Sequence, residues 1–184
     1  MRRETSIMTN IKRMYTGLNL EHNTVMHRAK LLLSIYRDVV WMHGQRVNDC
    51  VVEAHDLYGT REIGAALTFL SDFAPMEQRK DFEARVTKLF ETQWLVELID
   101  TAMLRVYNYP RNGKQYSEIL SKSYMTFPEW TESELLEALN LERSAFYLRK
   151  KEAVMLFGIA LWGYAIPMMK HAFNVGESLL AANA

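Results

Sequence analysis

The longest uncharged run is Ala153 to Met169, and from Val154 to Met169 the sequence is apolar on every side of a helical wheel. Phe157, Leu161, Trp162, Tyr164 and Ile166 are spread around it. A helix without a polar face has to be enclosed, because soluble proteins rarely leave so large an apolar surface in water. The stretch falls just short of the roughly 20 residues that a bilayer span requires, and Gly158, Gly163 and Pro167 interrupt it. A buried core helix with no membrane partner is therefore expected, enclosed by the rest of the chain or by a second copy. Pro167 predicts its end or a kink, leaving Lys170 to Ala184 as a short helix or tail.

The rest of the chain also repeats with the helical period. Val25, Ala29, Leu32, Leu33, Tyr36, Val39, Val40 and His43 recur at three- and four-residue steps, with Arg28, Arg37 and Asp38 placed on the surface. Further helices are expected near 46–57 and 60–73, the second opening on Thr60 and Glu62. After Pro75 a long helix from Met76 to Tyr107 turns Val86, Leu89, Phe90, Trp94, Leu95, Leu98, Ile99, Ala102, Met103 and Val106 inward. Asn108 to Gly113 is the densest turn chemistry in the chain, a short helix follows over 114–124, and Phe127 with Pro128 marks the next break. No strand is expected, so the fold class is all-α. It reads as a helical bundle followed by a helix-turn-helix with a long apolar C-terminal helix.

Charge adds a division within this pattern. Lys+Arg and Asp+Glu both total 22, so no global field draws the protein to nucleic acid. Residues 1–30 nevertheless carry six basic and two acidic side chains, against three and six over 31–75. The resulting layout is a basic N-terminal arm at 1–22, a helical bundle at 23–107, a linker with a short helix at 108–127, and a helix-turn-helix domain with its C-terminal helix at 128–184.

Catalytic and metal-binding patterns are missing. His22, His27, His43, His55 and His171 do not pair with one another or with Cys50 at the spacing that sets two ligands on one helix face. Gly59 to Gly64 and Gly158 to Gly163 have phosphate-loop spacing but lack the Lys and Ser/Thr that must follow. Cys50, the one cysteine, excludes an internal disulfide and reads as packing, in keeping with a reducing, cytoplasmic setting. Neither an enzyme nor a cofactor is expected. The N-terminus reaches no apolar segment before Lys12 and Arg13, which is unlike a secretory signal.

The stretch from Thr131 to Val154 carries the functional signal. Thr131 and Glu134 form a capping-box pattern, predicting a short helix that buries Leu135, Leu136 and Leu139. Asn140 suits the left-handed residue that ends it, Leu141 plugs the corner, Glu142 or Ser144 caps the next helix, and Phe146 packs back on the first. On that second helix Arg143, Tyr147, Lys150 and Lys151 fall within about one third of the circumference, opposite Ala145, Leu148, Met155, Leu156 and Ile159. A basic face with an apolar back suits a helix lying in the major groove of double-stranded DNA. Arg143, Ser144, Tyr147, Arg149, Lys150 and Lys151 are the expected DNA-binding residues.

Leu141 to Val154 resembles the recognition segment of phage and prophage transcriptional regulators of the ArpU type, whose helix-turn-helix is similar to the promoter-reading end of sigma factors. That family shows an aliphatic residue, then Ser-Arg-Ser-Thr-Tyr-Tyr, then basic residues ending in Lys-Glu-Ala and an aliphatic. Leu141, Arg143, Ser144, Phe146, Tyr147, Lys151, Glu152, Ala153 and Val154 match by type. Glu142 departs from a small polar residue, and Leu148 and Arg149 reverse the usual order. The resemblance covers about residues 131–165 and implies transcription regulation through DNA, with RNA polymerase or another regulator as a protein partner. Homodimerisation would also enclose the apolar helix. A small-terminase-like DNA-packaging adaptor and a protein-binding helical module are the alternatives.

Overall fold

The computed structural model describes residues 5–43 and 93–172. The helices expected near 46–57 and 60–73, the first part of the long helix from Met76, Cys50 and the chain end beyond Ala172 lie outside the described residues. So do the side chains of Val39, His43 and Trp94.

Among the described residues there are six α-helices and no strand: α1 (Ser6–Gly17), α2 (His22–His43), α3 (Gln93–Tyr107), α4 (Gly113–Leu120), α5 (Glu132–Ala138) and α6 (Arg143–Gly158). The all-α class holds. A π-helical turn, Ser121–Met125, extends α4, and a π-helical segment, Ile159–Ala165, extends α6. From Arg143 to Ala172 the backbone is one continuous helix, long and apolar enough to cross a membrane, and 72% of its apolar window is buried inside the chain.

The apolar helix is enclosed by its own chain. Phe157, Ala153 and Leu161 are completely buried in a core they share with Ile11 and Tyr15 of α1, Leu32 and Leu33 of α2, and Leu95 and Ile99 of α3. Burying one leucine, isoleucine or phenylalanine side chain stabilises by roughly 1.5–3 kcal/mol. α3 packs against the π-helical segment, while α2 and α1 pack against α6. The helix also runs past Pro167 to Ala172 instead of ending there. A proline ring clashes with the carbonyl four residues earlier in an α-helix, and the wider π-helical turns just before Pro167 change that register.

Two expectations drawn from charge and turn chemistry change. Residues assigned to a basic arm form α1, whose Met8, Ile11 and Tyr15 are core residues. Thr5 caps it by accepting from the Met8 N–H, and on this packed helix Arg13 is exposed while Lys12 is half-buried. The 108–127 linker is likewise packed. α4 turns Tyr116 and Leu120 into the main core and Ile119 into a second, smaller one, so this segment joins the bundle to the helix-turn-helix as structure. At its start Asn112 is left-handed, and a Cβ on Gly113 would sit 2.5 Å from the Tyr107 carbonyl oxygen.

α2 opens on Glu21, whose carboxylate accepts from the Asn23 and Thr24 backbone N–H groups. Hydrogen bonds from Thr24 and Asn23 hold this carboxyl down to about 2. Val25, Ala29, Leu32 and Leu33 are buried as their spacing requires. Arg37 is not on the surface: only 12% of its side chain is exposed, and it donates to the Ser123 carbonyl and pairs with Glu129 at 3.0 Å. Both partners lie more than 80 residues away in the chain, so the local helical pattern does not reveal this position.

Candidate nucleic-acid interface

Thr131 and Glu134 build the capping box that their spacing predicts. The Thr131 hydroxyl oxygen accepts from the Glu134 N–H at 3.3 Å, and the Thr131 N–H donates to Glu134 Oε2 at 2.7 Å. These bonds hold the Glu134 carboxyl below its ordinary range. Just past the end of α5, Asn140 is left-handed at φ 48°. Leu135, Leu139 and Phe146 then close a small core with Ile119 of α4, with Trp130, Leu136 and Leu141 packed at its edge. α4, α5 and the first turns of α6 thus form a three-helix unit around a core of their own. Glu142 takes the N-cap position of α6 in extended conformation but makes no side-chain capping bond.

The six residues expected to meet DNA divide into two groups. Arg143, Ser144, Tyr147 and Lys151 are exposed. Arg149 turns inward instead. Its guanidinium lies 3.7 Å from Glu152 Oε2 and donates to the Tyr116 hydroxyl at 3.4 Å. Lys150 lies over the Tyr124 ring, 4.6 Å from its centre, and burial pushes its ammonium below the ordinary lysine range. Leu148, placed on the inner face by the helical wheel, is 39% exposed. The wheel assumes that burial follows apolarity. Here Tyr116, Tyr124 and Glu152 offer polar partners on the inner side, and the long Arg149 and Lys150 stems reach them.

Glu152 explains the inward turn of Arg149. It is completely buried, yet it accepts from the Thr5 hydroxyl at 2.8 Å and from the Tyr116 hydroxyl at 2.7 Å. A buried carboxylate must be paired in this way, since an uncompensated charge in a core is strongly destabilising. Burial and the bond to Glu152 push the Tyr116 hydroxyl up to about 12. One carboxylate thereby ties the N-cap of α1 and α4 to α6.

Glu132 is a site residue that the sequence pattern does not single out. Its Oε1 accepts from Arg143 Nε at 2.7 Å and its Oε2 from the Tyr147 hydroxyl at 2.9 Å. The signal available was weak, an acidic residue in the first turn of α5 that reads equally well as a dipole partner.

Elsewhere, a groove of about 500 Å³ between α1, α3 and the end of α6 is lined by Met14, Leu104, Tyr109, Ile159 and Met168. Arg105 stacks on Tyr164 at its rim, 3.4 Å from the ring centre. Among the described residues no three His, Cys, Asp or Glu side chains are grouped to hold a metal ion. Compared with known proteins, the chain matches no protein-family model, no curated protein and no solved structure.

Proposed function

We propose that the protein is a sequence-specific DNA-binding transcription regulator of the phage and prophage ArpU type, acting in the cytoplasm on double-stranded DNA. The observation that carries this reading is the helix-turn-helix with its own small core, whose second helix leaves Arg143, Ser144, Tyr147 and Lys151 in solvent at its N-terminal end. Base edges come within reach of the first turns of such a helix, and phosphates within reach of its flanks. With Arg149 and Lys150 turned inward, Arg143 and Lys151 are the exposed cations left among the six expected residues. Affinity then depends on a homodimer that places two reading helices about one turn of DNA apart. RNA polymerase or another regulator would be the protein partner at a promoter.

A second reading, a protein-binding helical module, is favoured by Leu148 standing exposed beside Tyr147. Binding to a random-sequence duplex across a salt series separates the two. A DNA-binding protein loses affinity linearly in log salt, with a slope of about −0.9 per phosphate neutralised. A chain that binds no duplex at low salt belongs to the second class.

A further inference from the structure

Resting on the DNA-binding reading, we infer that Glu132 is a positioning residue that fixes which bases Arg143 and Tyr147 can read. Its carboxylate takes the Arg143 Nε–H through one oxygen and the Tyr147 hydroxyl hydrogen through the other. This sets the hydrogen-bond polarity of both outward ends. Arg143, 73% exposed, keeps its two Nη nitrogens without a partner among the described residues. They form a parallel pair of donors that suits guanine O6 and N7 in the major groove. Tyr147 has spent its only hydrogen on Glu132, so its oxygen can act outward only as an acceptor. An acceptor there suits the exocyclic amino group of adenine or cytosine.

The two residues are one helical turn apart, a rise of about 6 Å, so their bases lie within about two base-pair steps. The expected motif is a guanine with an adenine or cytosine close by. Glu132 is not simply a charge that repels phosphate, because both of its oxygens are held by the residues it orients. Fixing a flexible arginine beforehand spares part of the ordering cost of binding.

The test is selection of bound sequences from a random duplex pool, run on the full chain and on Glu132→Gln, Tyr147→Phe and Glu137→Gln. Glu137 is an exposed acid on the same short helix with no side-chain partner among the described residues, so its variant removes the same charge without touching the pair. The expected results are a guanine with a neighbouring amine-bearing base for the natural chain, and loss of the second preference alone in Tyr147→Phe. Affinity for the selected site should fall roughly three- to tenfold in Glu132→Gln relative to Glu137→Gln, with no fall on random duplex. If Glu132→Gln and Glu137→Gln behave alike, or Tyr147→Phe keeps every base preference, the inference is overturned and the DNA-binding reading stands. If the natural chain binds no duplex, both are overturned.

Discussion

Tyr116 on α4 donates its hydroxyl hydrogen to Glu152 on α6 across 2.7 Å, and the carboxylate that receives it has no exposed surface. The bond ties α4 to α6 where both side chains are completely buried. Tyr116→Phe keeps the ring and removes the donor. A hydrogen bond to a charged group contributes about 1.5–3 kcal/mol, so a loss of that size is expected. Chemical denaturation of the two proteins measures it, and an unchanged midpoint would mean that Thr5 and Arg149 satisfy Glu152 without Tyr116.

Lys150 and Lys151 are neighbours with different expected roles. Lys151 is exposed, and its removal should leave stability within about 0.5 kcal/mol while lowering the salt slope of DNA binding by about one. Lys150 lies over Tyr124, so Lys150→Ala should cost about 0.5–2 kcal/mol of stability and leave the salt slope alone. Thermal unfolding and salt titration of both variants decide the assignment.

Gly158 lies where α6 crosses α1 and α2. A Cβ there would meet the Tyr15 hydroxyl at 2.7 Å and Val25 Cγ1 at 2.8 Å. Alanine gains about 1 kcal/mol in helix propensity, whereas overpacking a filled core costs about 1–3 kcal/mol. The second effect wins because Tyr15 is itself held by its bond to the Met155 carbonyl. Gly158→Ala should lower the melting temperature, and an increase would show that Tyr15 moves aside freely.

Two helix starts depend on carboxylates whose pKa values are lowered by the bonds they accept, Glu21 at α2 and Glu134 at α5. A group with a lower pKa folded than unfolded adds stability above its unfolded value and loses it as pH falls through the folded value. Stability should therefore decline below about pH 4.5, toward about 2 for Glu21. Thr131→Ala removes the cap at a cost of about 0.5–2 kcal/mol at neutral pH. It should also flatten the part of the acid decline that belongs to Glu134. A melting series from pH 7 to pH 2 on both proteins reads the two effects together.

The helix-turn-helix was legible because its determinants are local. Thr131 with Glu134, Asn140, and the spacing of Leu135, Leu139 and Phe146 each specify geometry within a few residues, and each is present as expected. The directions of Arg149 and Lys150 were not legible, since they depend on Tyr116 and Tyr124, which lie more than 25 residues away in the chain. The pattern of α1 was present in Met8, Ile11 and Tyr15 but was outweighed by the surrounding charges. Glu132 was hidden for a third reason. A carboxylate in a first helical turn has a sufficient local role, so nothing in the sequence required it to reach across to α6.

In the proposed function, the exposed N-terminal end of α6 is the surface that meets DNA. Backbone amide shifts of the labelled chain, followed as a selected duplex is added, test it most directly. Perturbations are expected at Arg143, Ser144, Tyr147, Lys151 and Glu132, with the groove at Met14, Leu104 and Met168 unmoved. Perturbations concentrated at that groove, with the end of α6 unchanged, would contradict it.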